Sequence, residues 1–60
     1  MKTFDVELVF VLPDGGGTIR SEREYLCATA THALREAIEY MWLTFGLEES
    51  PVWVHIHLKA

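Results

Sequence analysis

The chain has little of what very small proteins use to reinforce a weak core. Its 60 residues include a single cysteine, Cys27, so no disulfide can form within it. No apolar run approaches the roughly 20 residues that span a bilayer. Asp5 and Glu7 stand where a signal peptide would keep its apolar segment. These absences predict a cytoplasmic protein that does not contact membranes.

Positive charge is also scarce. Five Lys and Arg residues stand against nine Asp and Glu residues, which gives a formal net charge of −4. A general nucleic-acid binder needs excess cations to displace the counterions of phosphate groups, so direct nucleic-acid binding is not expected. With 50% hydrophobic residues, the chain is too apolar to be disordered and too short for two cores. We therefore predict one small domain over residues 1–60.

Three segments that alternate apolar and polar residues predict strands. Residues 3 to 12 alternate along their whole length, and residues 52 to 58 alternate again. Residues 18 to 28 alternate less regularly, which predicts a bulge near residues 22 to 24. The Pro-Asp-Gly-Gly-Gly run at residues 13 to 17 predicts a hairpin between the first two strands.

Residues 30 to 45 change to a helical period. Thr29 or Thr31 can cap the first turn, and Gly46 is a natural end. The resulting ββαβ order predicts an α+β fold: a three-stranded, antiparallel or mixed sheet of order 2-1-3, with one helix packed on one face. The predicted core combines two sheet rows, Phe4, Val6, Leu8, Phe10, Leu12 and Val52, Val54, Ile56, Leu58, with Leu34, Ile38, Met41 and Phe45 from a helix stripe that also contains Ala30 and Ala37.

One helix covers only one face of such a sheet, so apolar groups are left on the other surfaces. A domain of this size buries only about 60% of its unfolded surface, and a second copy would cover more. We therefore predict a homodimer, formed through the open sheet face, an edge strand or the helix surface. The predicted partner or dimer interface contains Val9, Val11, Tyr40, Trp42, Leu43, Trp53, His55 and His57.

The leading hypothesis is a non-enzymatic protein-interaction module, acting as an accessory, regulatory or inhibitory factor of the kind that phages and mobile elements encode. Large aromatic side chains supply much of the binding free energy at protein interfaces. Acidic groups guide association with a basic partner. The predicted acidic surface consists of Glu36, Glu39, Glu48 and Glu49, together with Asp14.

Two histidines carry a second hypothesis, a ligand or transition-metal site on the open sheet face. His55 and His57 lie two apart on a strand, so their side chains share a face at roughly 6 to 7 Å. A third ligand could come from Asp5 or Glu7. No H-x-x-x-H helix, Cys pair or recognisable second shell accompanies these residues, so both histidines are weak metal candidates and no cofactor is predicted. Cys27 precedes a helix without an obvious base beside it, which predicts a small buried thiol.

The strand of residues 4 to 12, the glycine turn and the alanine-rich helix start at residues 28 to 37 together resemble HicB-type antitoxins. The resemblance covers residues 3 to 40. It is a similarity in shape to the partial double-stranded-RNA-binding-like fold of that family. The proline-rich strand motif of the family is missing between the turn and the helix. The resemblance implies a third hypothesis, a nucleic-acid-associated regulator.

Overall fold

A computed structural model describes residues 1–59. The elements are β1 (Lys2–Val11), β2 (Thr18–Cys27), α1 (Ala30–Phe45) and β3 (Trp53–Leu58). The strands form one sheet in the order β2-β1-β3, and both pairings are antiparallel. The predicted α+β class, element order and sheet order are confirmed. Within residues 1–59, no helix has the length and apolar character needed to cross a membrane.

Local sequence explains where the elements begin and end. The Leu12 amide donates to the carbonyl of Gly17 at 2.9 Å, which closes the hairpin. Thr29 is the cap of α1, because its hydroxyl accepts from the amide of His32 at 3.2 Å. Gly46 ends the helix with φ of 68°, a left-handed conformation that glycine adopts without a steric penalty.

The core lies between α1 and the inner face of β1. Alternate residues of β1 are at most 6% exposed, which confirms the strand pattern. The helix contributes small residues at the centre of its buried face, and these let its backbone approach the sheet closely. The core consists of Phe4, Val6, Leu8, Phe10, Cys27, Ala33, Ala37, Met41 and Leu47.

Two parts of the predicted core are wrong. The buried helix residues are Ala33, Ala37 and Met41, so the face is rotated from the predicted stripe, and Phe45 is 51% exposed. The third-strand row also lies mostly outside the core, because α1 packs chiefly over β1 and β2. In that row Ile56 packs against the core, whereas Val52, Val54 and Leu58 are 64%, 40% and 50% exposed.

The predicted bulge in the second strand is also wrong. β1 and β2 pair in one unbroken register over all ten residues of each strand. This register places Ser21 and Arg23 on the helix side, where the alternation predicts apolar residues. The Arg23 guanidinium lies 4.1 Å from the centre of the Tyr40 ring, a favourable cation–π contact. The pairing of Arg23 with Tyr40 thus allows a charged residue at an inward position without a bulge.

Candidate interaction surfaces

The sheet face turned away from α1 carries the predicted interface residues of β1 and β3. Trp53 lies opposite Val9 and is 46% exposed. The rings of Trp53 and His55 are 5.9 Å apart between centroids. The face therefore has an apolar end and a polar end. The polar cross-strand pairs are His55 with Glu7 and His57 with Asp5.

Strand β2 adds two more carboxylates to this face. Glu22 and Glu24 lie directly opposite the two acidic residues of β1. Like charges in opposite positions destabilise a sheet, and two ion pairs across strands offset that repulsion here. Those ion pairs are Arg20 with Glu7 and Lys59 with Glu24.

The open-face histidines do not meet a third suitable ligand. His55 and His57 are both exposed, and the Glu7 carboxylate beside them pairs with Arg20. Among residues 1–59, no group of three or more His, Cys, Asp or Glu side chains is placed to hold a metal ion. The geometry gives the metal hypothesis no support.

One end of the molecule combines apolar and acidic residues around a hollow. Strand β1 and helix α1 finish at this end, so the hairpin turn and the loop of residues 46–52 lie side by side. We call this region the loop end. Its hollow has a volume of about 140 Å³ and is lined by Phe10, Val11, Pro13, Gly46, Leu47, Glu48 and Glu49.

The loop of residues 46–52 is held in place at three points. The indole N–H of Trp42 donates to the carbonyl of Glu49 at 2.8 Å. The amide of Val52 donates to the carbonyl of Val9, also at 2.8 Å. Leu47 is 9% exposed and belongs to the core. Trp42, a predicted interface residue that is 38% exposed, therefore also has an internal role.

The residues of the predicted acidic surface lie in separate parts of the structure. Glu36 accepts a hydrogen bond from the thiol of Cys27, with 2.6 Å between Sγ and Oε2. Glu39 borders a second hollow on α1, which Arg35 also lines. The two loop glutamates border the loop-end hollow, which has no basic lining residue. Asp14 accepts from the amide of Gly16 within the turn at 3.2 Å.

Two predicted interface residues on α1 differ greatly in exposure. Leu43 is 87% exposed, whereas Tyr40 is half-buried beneath Arg23. Leu47 and Pro13 line the loop-end hollow but were not predicted from the sequence as site residues. Leu47 had a usable signal, because an apolar residue just after a helix-ending glycine commonly packs back on the helix. Pro13 had none, because its neighbours in the hollow come from a distant part of the chain.

Cys27 is a buried, protonated thiol. The hydrogen bond to Glu36 and burial raise the pKa of Cys27 to about 11. The thiolate is the nucleophilic form, so this group is unreactive near neutral pH. The prediction of a small buried thiol is confirmed.

Replacing Glu36 with glutamine should lower the pKa of Cys27, because the carboxylate is the main cause of its rise. The NMR shift of the Cys27 Cβ should titrate near pH 11 in the original chain and at lower pH in Glu36→Gln. Because the folded pKa lies above the ordinary value of 9.0, the stabilisation exists below pH 9 and is lost as the pH rises toward 11. Glu39→Gln removes the same charge but keeps the hydrogen bond between Cys27 and Glu36, so it should leave the titration unchanged. Identical titrations in both variants would contradict the role of Glu36.

Family models, curated proteins and solved structures were each compared with the chain, and none matches.

Proposed function

We propose that the protein is a non-enzymatic protein-interaction module whose loop end binds a basic protein. The observation that supports this function is the hollow with apolar walls and two glutamates, Glu48 and Glu49, at its border. Small-molecule sites usually measure roughly 300 to 1,000 Å³. A hollow of about 140 Å³ is better matched to one anchoring side chain of a larger partner.

A lysine or arginine side chain has the chemistry to occupy this hollow. Its aliphatic stem would pack on Val11 and Pro13 while its cationic head remained near solvent. The carboxylates of Glu48 and Glu49 would accept charge-assisted hydrogen bonds from that head. Val11 is 45% exposed, so burial by a partner would also remove apolar surface from water.

The outer sheet face extends this binding surface. Trp53 lies opposite Val9, next to the strand end that forms the hollow. An exposed tryptophan beside a charged anchor site is a frequent source of binding free energy. The net charge of −4 would speed the approach of a basic partner, more strongly at low salt.

The module is proposed to act by binding, as a homodimer, in an accessory, regulatory or inhibitory role. The one cysteine in the sequence is buried and protonated, so it does not suit nucleophilic catalysis. A free buried thiol is compatible with the reducing cytoplasm that we propose as its location.

The double variant Glu48→Lys/Glu49→Lys should lose partner binding. A basic partner would meet two cations in place of two anions, and we expect affinity to fall by about 100-fold, because close charge pairs at interfaces couple strongly. The partner is first identified by cross-linked capture from the source cells with the original chain. Its affinity is then measured by isothermal titration with each variant.

The matched control is Glu22→Lys/Glu36→Lys. Each pair of substitutions takes the formal net charge from −4 to zero, but the control leaves the loop end intact. The control should bind within a few-fold of the original chain. Equal losses in both variants would mean that only net charge matters, and strong binding by the loop-end variant would contradict the proposed site.

A further inference from the structure

The two edges of the sheet differ in how they are protected. Strand β2 carries four charged side chains along its length, whereas β3 carries no Asp, Glu, Lys or Arg and no proline or glycine. Charged residues on an edge strand oppose pairing with another chain. The β2 edge is therefore guarded and the β3 edge is open.

The lysine nearest to β3 does not guard this edge. Lys59 follows the strand, but its ammonium crosses the outer sheet face to pair with Glu24 on β2. The hydrogen bond with Glu24 also raises the pKa of Lys59. Lys59 thus stays charged and directed away from the β3 edge.

The β1–β3 hydrogen bonds define which backbone groups of β3 are free. The Lys59 amide donates to the carbonyl of Thr3 at 2.9 Å. Alternate residues of an antiparallel strand direct their backbone groups to opposite sides, so those of Val54, Ile56 and Leu58 point away from β1. The side chains of these residues share the helix side of the sheet, opposite Leu8, Val6 and Phe4 respectively.

We propose that this edge pairs with β3 of a second copy, around a twofold axis at Ile56. In that register Ile56 lies opposite Ile56 of the second copy, and Val54 lies opposite Leu58. The outward N–H and C=O groups of the three residues all gain partners, and each apolar side chain lies beside another. The inference rests on the homodimer of the proposed function and deepens it by naming the surface.

Helix α1 widens the interface. Glu36 and Tyr40 contact residues of β2, so the other flank of α1 faces β3. That flank has a hollow lined in part by Leu34, Ile38 and Trp42. A twofold axis perpendicular to the sheet places both helices on the same face, with these flanks turned toward each other.

A strand edge alone buries little area, so a stable dimer would also need contacts from this flank of α1. Typical specific interfaces bury about 800 Å² per partner, which is about a fifth of the 4178 Å² exposed by this chain. Val54 and Leu58 are exposed apolar residues of this edge on the helix side of the sheet, and Trp42 is exposed on the neighbouring flank of α1. These three side chains would contribute to such an area.

The variant Val54→Lys tests the surface. Val54 is already 40% exposed, so one chain tolerates lysine, whereas the dimer would carry the new charge twice between its paired strands. Sedimentation equilibrium should give a dimer dissociation constant raised by roughly 100-fold. Leu26→Lys on β2 and Leu43→Lys on the far helix flank are the controls, and both should remain dimeric. A dimeric Val54→Lys, or a monomeric control, would overturn the proposed surface.

A cross-linking variant keeps the test decisive if Val54→Lys does not fold. Hydrogen-bonded pairs in antiparallel sheets have Cα atoms about 5.5 Å apart, within disulfide range. Ile56→Cys in a Cys27→Ser background should therefore oxidise to a covalent dimer. Leu43→Cys in the same background should not. Absence of the Ile56→Cys cross-link overturns this geometry, whereas loss of partner binding only in Glu48→Lys/Glu49→Lys concerns the loop end alone.

Discussion

Replacing Phe10 with alanine should unfold a large share of the molecules at room temperature. Phe10 is 1% exposed and is among the largest fully buried side chains. Truncating a buried phenylalanine typically costs about 3 to 5 kcal/mol. A domain of this size is stabilised by only about 0.05 to 0.15 kcal/mol per residue, so the loss approaches the total. Urea unfolding followed by circular dichroism measures the change.

Phe45→Ala is the matched control. Both phenylalanines belong to the core predicted from sequence, but Phe45 is 51% exposed. Its truncation should cost less than about 1 kcal/mol, because much of the ring is already in water. Both variants must be compared at equal protein concentration, since the proposed dimer would add to apparent stability. Similar losses at the two positions would contradict the observed position of α1 on the sheet.

Replacing Ala37 with leucine should have the second large effect. Ala37 is 1% exposed and lies at the centre of the helix face that meets the sheet. Overfilling a packed core typically costs about 1 to 3 kcal/mol, and here the added carbons would push α1 away from β1. The loop end should also change, because α1 holds its loop through Trp42. Thermal unfolding measures the loss of stability, and the affinity for the proposed basic partner measures the change at the loop end.

Ala30→Leu provides the comparison for that helix variant. Ala30 is exposed in the first turn, so leucine there meets no close-packed neighbour. Its effect should stay within about 0.5 kcal/mol, as for most surface substitutions. If Ala37→Leu cost as little stability as Ala30→Leu, the helix would not lie as close to the sheet as the buried alanines indicate.

The fold was largely predictable because its main signals are local. Strict alternation in β1, the glycine turn and the helix-ending Gly46 each act through the residues beside them. The rotation of α1 was not predictable from hydrophobicity. Large apolar residues suggest a face through Leu34 and Phe45, but close packing on the sheet selects the face with small residues.

The candidate site was less predictable than the fold. The aromatic and aliphatic residues expected on the open sheet face are there, because strand alternation assigns them to that face. The loop-end hollow depends on two loops that are distant in sequence and meet only after folding. The position of Glu36 away from the loop glutamates also depends on a contact between distant parts of the chain. Glu36 accepts a hydrogen bond from Cys27, which joins α1 to β2.

The size of the original chain in solution shows whether its exposed apolar surface serves association. Sedimentation equilibrium at micromolar concentration should give twice the chain mass of 6.9 kDa. Val54→Lys at the same concentration should shift toward the single-chain mass. An original chain that sediments as a monomer at this concentration would contradict a role of that surface in dimer formation.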